Sequence, residues 1–122
     1  MRFMKDPLCF PQLQPASFAS FLAAAPRLSD PARLCKVRAD LPIYIFSGSE
    51  DPVGQQLEGV RTLIGRYRKA GVHDISSRFY IGGRHEMLNE INRDEVRANL
   101  LAWISVTIET KARHLIRERS AS

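Results

Sequence analysis

Residues 41–54 read L-P-I-Y-I-F-S-G-S-E-D-P-V-G. The opening six are short, almost wholly apolar and bounded by turn residues on the far side. That pattern predicts a strand, Leu41–Phe46, buried on both faces as in a parallel sheet. Pro42 is tolerable so close to a strand's beginning. The continuation, S-G-S-E-D-P-V-G, is a loop by composition. Asp51 is therefore expected just past the carboxyl end of the strand.

The downstream segments supply partners for that strand. Residues 55–70 carry Leu57, Val60, Leu63, Ile64 and Tyr67 at intervals of three and four. That spacing predicts an amphipathic helix, stopped by Gly71 after Arg68 and Lys69. Asp74–Ile81, D-I-S-S-R-F-Y-I, reads as a second strand of mixed polarity, nearer an edge. A further helix is expected from Asp94 to about Glu118, with Asn92 as its cap. Asp94 and Glu95 suit its positive end. Trp103, the single tryptophan, falls in its apolar pattern and reads as core.

Two strands joined through a helix are normally parallel, with a right-handed crossover. The loops after them then leave the same sheet edge, where open α/β sheets build their sites. The second loop is I-G-G-R-H-E-M-L-N-E, residues 81–90. Gly82 and Gly83 are suited to turning the backbone so that His85 projects over the rim. Asp51 and His85 are thus expected to face each other across it.

The first 40 residues are irregular, with Pro7, Pro11, Pro15, Pro26 and Pro31. Between them a short helix is expected, capped by Ser17, ended by Pro26, and carrying Phe18, Phe21 and Leu22 on one face. Asp30-Pro31 reads as another helix start.

The net charge is +5, and most of the excess sits in Lys111, Arg113, Arg117 and Arg119 against Glu118. A basic helix end is favoured by the helix dipole alone, and the stripe lacks an aromatic stacking partner, so no nucleic-acid partner is expected. No apolar run reaches the roughly 18–20 residues that span a bilayer. A cytoplasmic protein with free thiols at Cys9 and Cys35 is expected. The His85-Glu86 pair lacks the second histidine of a zinc helix, since position 89 is asparagine. No metal and no cofactor are expected.

An aspartate opposite a histidine fixes the ring's tautomer and stabilises its imidazolium, leaving the other nitrogen as a base. Such a base serves a nucleophile, usually a serine hydroxyl. The chain order Asp then His is also that of α/β-hydrolases after their serine. Residues 41–54 resemble the strand and acid loop of a serine-hydrolase branch. That branch includes monoacylglycerol lipases, lysophospholipases and the serine aminopeptidase S33 domain. A-G-V-H-D-I-S-S-R-F-Y-I-G-G-R-H-E-M-L-N-E-I-N-R-D-E-V-R-A-N-L-L-A-W-I is similar to the following strand, histidine loop and last helix. D-P-L-C, residues 6–9, is similar to the tail of the branch's lid.

The resemblance implies Asp51 as triad acid and His85 as triad base. It implies the carboxyl-terminal part of an α/β-hydrolase fold: two parallel strands with flanking helices, preceded by a lid tail. Residues 1–40 would be that tail and its connecting helices, and residues 41–122 the segment carrying the acid and histidine loops. The substrate implied for the full protein is a lipid ester or other small ester. One element of the pattern is missing. No G-x-S-x-G occurs in the sequence, and Ser47 and Ser49 belong to the acid loop. The expectation is a fragment holding acid and base without the nucleophile, inactive alone. The alternative is a non-catalytic module that associates with itself or a partner through its exposed strand, because two strands rarely make a stable sheet.

Overall fold

A computed structural model describes residues 15–28 and 30–120. Its elements in chain order are α1 (Pro15–Leu28), α2 (Pro31–Leu34), β1 (Ile43–Gly48), α3 (Glu58–Lys69), β2 (Ile75–Tyr80) and α4 (Arg93–Ser120). Cys9 and the lid-like D-P-L-C segment lie outside the described residues, and Cys35 is a free, exposed thiol.

β1 and β2 pair in parallel, with Ile43 opposite Ile75 and Gly48 opposite Tyr80. The ladder starts at Ile43 rather than Leu41, because Pro42 has no N–H to donate. Its first loop bond runs from Ile43 N–H to Asp74 O at 2.9 Å. At the other end β1 runs on through Ser47 and Gly48, two residues further than its apolar run, because both have partners on β2.

The helices lie on opposite faces. On β2, Phe79 carries the Arg61 guanidinium of α3 at 5.0 Å from its ring centre. The adjacent Tyr80 accepts a hydrogen bond from Asn99 Nδ2 of α4 at 3.1 Å. Neighbouring strand residues point to opposite faces, so α3 and α4 sandwich the sheet. On the α4 side, Tyr80, Met87 and Val96 form a buried cluster, with Phe46 packed against it. Trp103 stacks on Tyr44 with ring centres 5.3 Å apart. On the α3 side, Leu57 and Ile64 are buried.

α3 begins at Glu58, later than the expected 55, because Gln55, Gln56 and Leu57 all have positive φ (51°, 47° and 76°). Its end follows expectation. Gly71 has φ 95°, with Gly71 N–H bonded to Arg68 O and Val72 N–H to Tyr67 O, both at 3.0 Å. This double bond caps the last carbonyls of the helix.

The amino-terminal region departs more. α1 starts at Pro15 and continues past Pro26 to Leu28, so Ser17 is interior rather than a cap. A proline this near the helix end removes one of the last hydrogen bonds without halting the turn. Phe18 and Leu22 are exposed. Asp30 does cap α2, accepting from Ala32 N–H at 3.0 Å, with Pro31 at the first helical position.

α4 is longer than expected, and Asn92 does not cap it through its side chain, since Asn92 Oδ1 is buried and unpartnered. Its last turns stand clear of the sheet, with Leu115 and Ile116 exposed. Lys111 still reaches back to Asp40 at 3.3 Å, and that bond holds the Asp40 carboxyl below the usual range. No helix among the described residues is long and apolar enough to cross a membrane.

Candidate functional site

The two loops leaving the sheet's carboxyl edge are joined along their backbones. Ser49 N–H donates to Tyr80 O, and Glu50 N–H to Gly83 O, each at 2.9 Å. Gly82 N–H donates to Ser49 Oγ, also at 2.9 Å. Gly82 has φ 75°, the left-handed turn expected of the glycine pair. Gly48 has a different role. A Cβ there would lie 2.0 Å from Gly83 O, so only glycine lets the strands' ends approach this closely.

This junction brings Asp51 and His85 together. His85 Nδ1–H donates to the Asp51 carboxylate, 3.1 Å from Oδ2 and 3.2 Å from Oδ1. The aspartate side chain is only 9% exposed, whereas the histidine side chain is 61% exposed. A carboxylate can only accept, so the neutral ring bonded to it carries its proton on Nδ1. Nε2 is then the basic nitrogen.

Asp51 is prepared as an anion. Burial pushes its pKa upward, but hydrogen bonds from His85 and from the Val53 and Gly54 backbone outweigh this and hold it below 3.8. The Val53 N–H bond measures 2.9 Å. Gln56 N–H closes the loop onto Asp51 O at 2.9 Å, at the foot of the left-handed run Gln55–Leu57. Each non-glycine residue in that region costs about 1–2 kcal/mol, strain of the kind that gathers at functional loops.

A cleft of about 280 Å³ opens beside His85, lined by Phe46, Met87 and Leu88 with Glu86 and Asn89. Glu86 and Asn89 bond each other at 3.0 Å. Arg84 is fastened through its backbone, not its side chain: its N–H donates to Glu90 Oε1 at 2.9 Å. Glu90 was not singled out by sequence reasoning. Its lone signal was a sixth-position acid after the glycine-arginine step, which has no meaning until the loop is folded.

The model of the serine aminopeptidase S33 family matches residues 1–92, three quarters of the chain. The chain belongs to that family. No curated protein and no solved structure matches it. Membership in the S33 family carries the α/β-hydrolase fold, and the two parallel strands with flanking helices are consistent with part of it.

The serines near Asp51 are otherwise engaged. Ser47 is buried on β1, its hydroxyl 3.3 Å from Gly48 O. Ser49 Oγ accepts the Gly82 bond described above. Among the described residues, no hydroxyl or thiol side chain is hydrogen-bonded to His85. The described residues also hold no group of three His, Cys, Asp or Glu placed to bind a metal ion.

Proposed function

We propose that this chain supplies the acid and base of a serine ester hydrolase of the lysophospholipase or monoacylglycerol lipase kind, and that the nucleophilic serine comes from outside its 122 residues. The observation carrying this reading is the bond from His85 Nδ1 to both oxygens of a buried Asp51, with the ring otherwise open to solvent. Residues 1–40 contribute the lid tail and connecting helices.

In the assembled site, His85 Nε2 takes the proton of the attacking serine. Asp51 holds the ring's orientation and stabilises the imidazolium, without itself being protonated. The imidazolium then gives its proton to the departing alkoxide. Water, deprotonated by the same nitrogen, releases the acyl group as a carboxylic acid. The apolar wall of Phe46, Met87 and Leu88 suits an uncharged chain of the ester.

A fluorophosphonate probe tests the division of labour. The chain alone is expected to show no labelled serine. Robust labelling at Ser47 or Ser49 would refute an external nucleophile. An in-frame G-x-S-x-G encoded upstream of Met1 would support it.

A second reading has its own support. Among the described residues, the outer edge of β1 has no strand partner, although the strand is apolar. A module pairing that edge with itself would run as a discrete, soluble dimer on size exclusion. Aggregation or unfolding would count against it.

A further inference from the structure

The Asp51 bond orients the exposed His85 ring, but the ring meets Asp51 only if the backbone of its own loop carries it to the right place. The peptide unit linking Gly83 to Arg84, one step before the unit that joins His85, is held at both polar ends. Its carbonyl, Gly83 O, accepts from Glu50 N–H of the acid loop at 2.9 Å. Its N–H, on Arg84, donates to Glu90 Oε1 at 2.9 Å. A peptide unit is planar, so two bonds in opposite directions fix both its position and its tilt. The acid loop grips one side, and a carboxylate at the entrance to α4 grips the other.

We propose that Glu90 is a positioning residue for His85, clamping the Gly83–Arg84 peptide so that the ring meets Asp51. The role rests on the acid–base reading of that pair. Glu90 is half-buried, and its own backbone is tied into the helix start, with Arg93 N–H bonded to Glu90 O at 3.1 Å. Val96, one turn further along α4, is fully buried. The carboxylate therefore stands on a fixed support. A bond from an amide to an ionised acceptor is among the stronger hydrogen bonds, and this one acts on the residue adjacent to the base. A merely structural Glu90 would start α4 and leave the ring indifferent to its removal.

The test reads the ring and not activity, so it needs no nucleophile. Uniformly ¹⁵N-labelled chain is compared as wild type, Glu90→Ala, Glu90→Gln and Asp51→Asn by NMR, with the His85 ring and the Arg84 amide read in the same sample. Wild type is expected to show one tautomer with a slowly exchanging Nδ1 proton. Glu90→Gln keeps an acceptor oxygen and is expected to match it. Glu90→Ala is expected to show averaged ring nitrogens and roughly tenfold faster hydrogen exchange at the Arg84 amide. If the alanine variant unfolds, Glu90→Asp, whose carboxylate is withdrawn by one methylene, is read instead and is expected to show the averaged ring.

A wild-type ring in folded Glu90→Ala or Glu90→Asp overturns the proposal. So does failure of both to fold, which would make Glu90 a determinant of the fold. Asp51→Asn separates the two ideas: if it leaves the ring unchanged, the acid–base pairing fails independently of Glu90.

Discussion

The carbonyl of Gly83 occupies the place that a side chain on Gly48 would need, with 2.0 Å between it and a Cβ built there. Gly48 ends the strand leading to Asp51, and Gly83 lies two residues before His85. Their contact sets how near the two loops come. The obstacle is backbone, which cannot swing aside as a flexible side chain would.

Gly48→Ala should therefore separate the loops. The expected cost is about 1–3 kcal/mol of stability, with loss of the His85 Nδ1 proton signal. Gly65→Ala is the control. It lies within α3, and a Cβ there meets nothing within 4 Å. An increase of about 0.5–1 kcal/mol is expected there, since alanine favours a helix over glycine. Urea unfolding of both variants checks the pair, and equal effects would contradict the close-approach argument.

Acid should weaken the fold partly through Asp51. Its folded pKa lies below the usual 3.8. A depressed carboxylate contributes stability that is complete above its unfolded pKa and is lost as pH falls through the folded value. The difference in urea midpoint between wild type and Asp51→Asn should therefore be steady at mild pH and shrink below 3.8. A difference constant down to the acid limit would remove Asp51 as its source.

Tyr44 predicts the opposite flank. Its hydroxyl is pushed up to about 12 by burial first and by its hydrogen bond with Tyr80 second. A raised pKa contributes stability that is complete below the unfolded value of 10.0 and lost as pH rises toward 12. Tyrosinate absorbance should show a late-titrating component that Tyr44→Phe loses. Alkaline unfolding of that variant should be less steep between those two values.

Asn92 offers a test of a misleading sequence signal. A true cap lost to alanine costs about 0.5–2 kcal/mol. Because Asn92 Oδ1 is buried without a partner, Asn92→Ala removes an unsatisfied group and no cap bond, so it should not show that loss. A loss of that size would show that the side chain caps α4 after all.

Much of the architecture was readable one segment at a time. The run I-Y-I-F is a strand because its β-branched and aromatic residues suit a pleated surface, though all four are half-buried rather than covered on both faces as expected. α3 shows its period, and Gly71 its stop, because both depend on neighbours within a few positions. What misled were cues that a tertiary or end effect overrides. Pro26 does not end α1, Asn92 does not cap α4 through its side chain, and the positive φ angles at Gln55–Leu57 delay α3. None of these three last residues is glycine, so nothing local announces the turn.

Order and period along the chain were enough to expect two parallel strands with Asp51 and His85 at one rim, because local steric preference and strand direction are written into adjacent residues. Distance was not. That His85 stands 3.1 Å from Asp51, 34 positions away, and that Glu50 N–H meets Gly83 O at 2.9 Å, depends on residues far apart in sequence being packed together. Such contacts form through backbone approach and hydrogen bonds between loops, and these exist only once the sheet has brought the loops side by side.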